Sequence, residues 1–313
     1  AGWLALFHFV GNSTLGYVNT PSLAGWWFWC YTGGLERAAG NPLAVLDSEE
    51  SLALLAPLIV AGLFWWKRAL FLELPKRVWW PAAGLLVLAL GLHVVGYMVQ
   101  QARISLLAFF LGVYALTGWV WGPRWLRASF FPFLLFGLCM PLGNQAEYIT
   151  FPLRLLATQI TGVLSDVALG IHVIQDGTRL FDASGTYQYE VAAACSGIRS
   201  LTATLALAIC YGFVNFRTAW RKWVMMLSAF PLAVAANVFR LSMIIIAAEA
   251  FGQHAGNYVH ESGWFSLAPY IPAIVGIIVL GHWLREDKST SPAAPATPLP
   301  ATEPKPASVS PVL

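Results

Sequence analysis

Residues Pro231–Ile246 read PLAVAANVFRLSMIII, and this stretch decides what kind of molecule the chain is. Set in the wider window 223–248, it is long and apolar enough to cross the ~30 Å hydrocarbon core of a bilayer as a helix. Arg240 interrupts it. An ionisable side chain in such a run is costly and marks function by default. Counting from Lys222, about 18 residues at 1.5 Å each carry the helix about 27 Å before Arg240, which puts the guanidinium near the far membrane boundary. Asn237 lies three residues earlier and shares its face. The plainer alternative is an Arg that snorkels and caps neighbouring carbonyls.

Outward from this run the same character recurs. Windows at about 51–66, 79–99, 104–121, 129–146, 196–214 and 266–284 are also apolar. The N-terminal stretch from Trp3 to Val18 reads as a weak, truncated first span: the chain begins at Ala1 and lacks the charged start and cleavage site of a signal peptide. The expected fold is therefore an all-α polytopic membrane protein with about eight transmembrane helices. Composition agrees. Hydrophobic residues are 58% of the 313 and charged residues 11%, against about 25% charged in soluble chains. The fifteen Trp suit interfacial belts. A net charge of +3, with Lys and Arg between apolar runs, argues against nucleic acid. Four Cys without CxxC spacing indicate neither a zinc site nor a disulfide framework, and no cofactor is expected.

Charge sets the orientation. Lys67, Arg68, Lys76 and Arg77 form one cluster, Arg124 and Arg127 a second, Arg217, Arg221 and Lys222 a third, and Arg285 and Lys288 a fourth. The positive-inside rule keeps all four cytoplasmic. Segment 148–170 then cannot cross, and its apolar residues Leu153, Leu155, Leu156, Ile160, Val163, Leu164 and Val167 recur at helical spacing. It reads as an amphipathic helix in the interface. Residues 147–194 fall outside, with a short extracytoplasmic β-hairpin: strands within His172–Phe181 and Thr186–Val191, and Asp176-Gly177 as a type I′ signal. Domain organisation follows: 1–50, an N-terminal span and Trp-rich extracytoplasmic loop; 51–288, the transmembrane domain; 289–313, a Pro/Ala-rich disordered cytoplasmic tail.

Cys195, in AAACSGIRSL, stands at the outer start of a span, where a helix N-terminus favours a thiolate. Arg199 at i+4 adds positive charge, its plain alternative being a packing role, and Ser196 and Gly197 leave room for a substrate backbone. Taken alone, a Cys in an apolar helix is usually inert. FGQHAGNYVHESGWF, between the last two spans, offers His260 and, as a fallback base, His254. Charge-derived topology puts Cys195, Arg240 and this loop on one side. Cys30, Cys139, Cys210, His8, His93, His172 and His282 receive no role.

These residues carry a family resemblance. Ala194–Leu201 (ACSGIRSL) resembles the cysteine motif of the exosortase/archaeosortase family, Asn237–Arg240 is similar to its NxxR motif, and Gly256–His260 with Gly263-Trp264 to its histidine motif. The three occur in the family's order, over about residues 45–285. Ser48–Leu52 departs from the His-Gly that many relatives show before the first long span. The resemblance implies a cysteine transpeptidase of the bacterial inner membrane. Its partners would be secreted proteins with a C-terminal sorting signal (PEP-CTERM-like: motif, transmembrane helix, basic cluster) and a cell-surface acceptor. Cys195 would be the nucleophile, His260 the base and Arg240 the oxyanion stabiliser, with Arg199, Asn237 and Ser196 in support. Two other classes stay open: a transporter or channel subunit for an anionic solute, and an intramembrane hydrolase without transfer. A structural role in polysaccharide assembly is a weaker third.

Overall fold

The computed structural model describes residues 1–14, 17–32, 52–182, 188–190, 198–262 and 265–286. Its helices are α1 (Gly2–Phe9), α2 (Leu23–Thr32), α3 (Leu52–Trp66), α4 (Arg68–Glu73), α5 (Ala82–Met98), α6 (Ala102–Trp121), α7 (Pro123–Leu134), α8 (Glu147–Leu164), α9 (Ile198–Asn215), α10 (Ala219–Leu227), α11 (Ala229–Phe251), α12 (Gln253–Glu261) and α13 (Tyr270–Trp283). Strands β1 (Val173–Asp176), β2 (Arg179–Asp182) and β3 (Gln188–Glu190) lie between α8 and α9.

Among the described residues, two stretches are long and apolar enough for a full crossing: Ala102–Trp121, and the 33-residue run Ala219–Phe251 formed by α10 and α11. Shorter apolar helices cover Ala53–Trp66, Ala82–Met98, Ser200–Asn215 and Tyr270–Trp283. The outer surface is that of a membrane protein. Trp66, Val87, Met98, Val167 and Trp283 all stand exposed, where a water-facing surface would form contiguous apolar patches too large to tolerate.

Two of the expected spans are not straight helices. The N-terminal stretch is not one crossing: α1 has 8 residues, about 12 Å, and the chain then doubles back. The backbone N–H groups of Gly11 and Asn12 donate to the Pro21 carbonyl, and α2 packs with α1 against α6 through Phe7, Leu23, Trp26 and Leu106. Window 129–146 is likewise broken. α7 gives way to a 3-10 turn at Leu135–Cys139 and another at Gly143–Ala146. Pro132 and Pro141 remove backbone donors that an unbroken helix needs.

The basic clusters gather at one end of the bundle. Lys67 Nζ donates to the Val214 carbonyl at 2.9 Å, and Lys222 lies over Phe131 and Phe213. A Cβ placed on Gly122, beside Arg124, would come within 3.0 Å of the Arg77 carbonyl. Glu286 accepts from the backbone N–H groups of Arg217 and Thr218 at 2.9 Å each, and Arg221 stands 3.8 Å away. At the opposite end, Arg103 Nε donates to Pro141 at 2.6 Å.

α8 turns its polar side inward. Thr150, Arg154, Thr158 and Thr161 are buried, as is Ser165 in the π-helical turn Ser165–Leu169 that follows, whereas Tyr148, Phe151, Ile160 and Val163, and Val167 of that turn, are exposed. The helix is amphipathic as its spacing predicts, with its apolar face away from the protein, as lipid requires. Thr158 and Thr161 hydroxyls donate to the carbonyls of Arg154 and Ala157, which satisfies these two buried donors within the helix. The hairpin grows into a three-stranded antiparallel sheet, β1-β2-β3. Its first turn is corrected: Asp176 pairs with Arg179, so Gly177 and Thr178 are the loop. Gly177 has φ +59, and Thr178 is not among the residues of positive φ. That sign pattern is type II′, with Gly first.

Candidate active site

The site is built on α11. Ala229, Ala233, Ala236 and Asn237 are buried, followed on the same stripe by Arg240, Ile244 and Ala248. Small side chains let a neighbouring helix approach closely, and α9 and α12 both pack on α11. The antiparallel register of α9 with α10–α11 comes from Gly212: a Cβ there would lie 3.5 Å from both Lys222 Cα and Met225 Cβ. From Gly212, 14 residues lead up α9 to Ile198, about 21 Å; from Met225, 15 lead to Arg240, about 22.5 Å. The N-terminus of α9 and Arg240 therefore stand at the same height, at the end away from the basic clusters.

α12 replaces the loop expected around the histidine motif. Gly252, with φ +83, reverses the chain in a conformation that favours glycine. α12 then runs back along α11, and Val259 packs on Ile244 and Ala248. At its last turn the half-buried Arg240 donates from Nη2 to the His260 backbone carbonyl at 3.3 Å. His260 is half-buried and His254 is exposed. The sheet covers the same region: Leu180, fully buried, packs with Ile171 and Val173 on Leu241 and Ile245 of α11.

The structure thus joins two of the three predicted motifs. Arg240 and His260, 20 residues apart in sequence, are in contact, and Asn237 is buried one turn below. Cys195 and Ser196 lie outside the described residues, as do Gly263 and Trp264; Arg199 belongs to the first turn of α9, its side chain undescribed. A cation in a first helical turn opposes the helix dipole, so this position is not chosen for helix stability. Sequence reading passed over Arg154. It is 4% exposed and paired with Glu147 at 2.8 Å, and its signal was a Glu and an Arg seven residues apart on one helical face.

No curated protein and no solved structure matches the chain. The model of the family described as "Transmembrane exosortase (Exosortase_EpsH)" matches residues 44–276. That span takes in α3 to α12, the cysteine motif and the Arg240–His260 contact, and the chain accordingly belongs to the transmembrane exosortase family.

Proposed function

We propose that the protein is a cysteine transpeptidase of the bacterial inner membrane that cleaves C-terminal sorting signals at the extracytoplasmic surface. The observation that carries this reading is the contact between Arg240 and His260 at the end opposite the basic clusters. The positive-inside rule makes that end extracytoplasmic. Cys195 stands three residues ahead of Ile198, whose helical turn is level with Arg240.

In this reading the Cys195 thiolate, its proton taken by His260, attacks the scissile carbonyl. Arg240 spends one N–H on the His260 carbonyl and offers the others to the oxyanion, where little water competes. The tetrahedral intermediate collapses to a thioester as the leaving amine takes the proton from His260. An acceptor nucleophile at the cell surface then takes the acyl group, loses its proton to His260, and the thiolate is restored. Arg199 and Asn237 support the anion and the helix packing, and Ser196 leaves space for the substrate chain. The apolar helices, including those too short for a straight crossing, make up a bundle of about eight membrane segments.

The test is coexpression of a tagged sorting-signal substrate with the wild type and with Cys195→Ala, Arg240→Ala and His260→Ala. All three variants are expected to leave the precursor unprocessed while accumulating normally in the membrane. Normal processing with Cys195→Ala would refute the nucleophile. Mass spectrometry of the product reads transfer as an adduct on the new C-terminus, against a free carboxylate for hydrolysis.

A further inference from the structure

We propose that Ala248 is a positioning residue: its small side chain seats α12 so that His260 is held at Arg240. This rests on the function proposed above and adds the element that sets the base in place. Arg240, Ile244 and Ala248 follow one another at four-residue intervals, so one stripe of α11 carries both the guanidinium and the seat. Ile244 is 1% and Ala248 2% exposed, and Val259 closes over both. Val259 immediately precedes His260. The chain enters α12 through Gly252, whose N–H donates to the Ala248 carbonyl at 2.8 Å, so the seat also anchors the reversal. Gly256, one turn before His260, is also buried.

The geometry leaves little tolerance. Arg240 reaches the His260 carbonyl at 3.3 Å, already long for an N–H to oxygen bond. A larger side chain at 248 has no free volume in a closed interface. It must lift Val259, and with it the last turn of α12. His260 then moves relative to Arg240, while the residues proposed to meet substrate stay chemically unchanged.

The experiment uses the full chain, reconstituted in lipid nanodiscs with a tagged sorting-signal substrate. Ala248→Leu is expected to lower kcat by ~10- to 100-fold, the scale of a misplaced catalytic group, with KM little changed. Ala248→Leu combined with Val259→Ala is expected to recover most of the lost kcat, because room removed on one side is returned on the other. Ala248→Ser, of similar size, should remain near wild type. Wild-type kcat in Ala248→Leu overturns the proposal. So does a loss that Val259→Ala leaves uncorrected, whether Ala248→Leu folds or not. The milder Ala248→Val, expected to fall between wild type and Ala248→Leu, gives the same decision. An inert Cys195→Ala beside a fully active Ala248→Leu would sink the positioning role alone, whereas an active Cys195→Ala would sink the parent reading.

Discussion

Arg240 occupies a stripe of α11 otherwise made of alanines, asparagine and isoleucine, and among the described residues its guanidinium bonds a backbone carbonyl instead of a carboxylate. In the proposed mechanism, such a neutral partner keeps the full positive charge available to a developing anion, which a salt bridge would partly cancel. Geometry matters as much as charge. A guanidinium has five donors in a planar fork, so it can hold the His260 carbonyl and still have donors left for the proposed oxyanion; an ammonium is a point charge on a flexible stem. Arg240→Lys is therefore expected to cut kcat by roughly 10²–10³-fold, the usual cost of losing an oxyanion donor, at unchanged protein level. Processing at the wild-type rate would show that charge alone suffices. Arg240 and Asn237 were legible in the sequence because polar groups inside an apolar run announce themselves. Val259 and Ala248 were not: apolar residues in apolar surroundings reveal nothing until a second helix lies on them.

At the scale of elements, the loop before α10 and the end of α13 are fastened by one carboxylate. Glu286 accepts from the Thr218 hydroxyl at 2.5 Å as well as from two backbone N–H groups. The Thr218 hydroxyl foremost, then its N–H, that of Arg217 and the Arg221 charge hold the Glu286 carboxyl below its usual range, against a smaller opposing effect of burial. A depressed folded-state pKa means that the stabilisation is complete above the unfolded value, near 4.3. It is lost as pH falls through the lower folded value. Thermal unfolding in detergent is expected to show a wild-type stability that drops below about pH 4.3. Glu286→Gln should be less stable at neutral pH and flatter across that window. Equal profiles for the two would show that the clasp contributes nothing.

Over the whole molecule, basic clusters sit at one end and the sheet, α12 and Arg240 at the other. The orientation of this arrangement in the membrane is testable with single cysteines introduced at Gly177 and Lys76 in a chain whose Cys30, Cys139, Cys195 and Cys210 are replaced by Ala. A membrane-impermeant maleimide applied to intact spheroplasts should label Gly177→Cys and spare Lys76→Cys until the membrane is opened. The opposite pattern would invert the topology and remove the extracytoplasmic site. The charge count was informative here because four clusters in four separated stretches had to satisfy one parity. The number of crossings was less legible. Hydropathy measures apolarity along the chain, and the broken helix at Leu135–Cys139 and the doubled-back N-terminus are as apolar as straight helical spans.

Sequence by itself determined the class of molecule, the amphipathic character of α8, and the candidacy of Cys195, Arg240 and His260. Each rests on a cost that any membrane imposes: apolar surface must meet lipid, and an ionisable group placed there must have a reason. Tertiary structure alone decided that Arg240 meets the backbone of His260, that α12 folds back over Ile244 and Ala248, and that α8 turns its polar stripe inward. Those outcomes depend on helix register and on which faces close against one another, and such long-range pairings are fixed by packing in three dimensions, beyond the reach of local spacing.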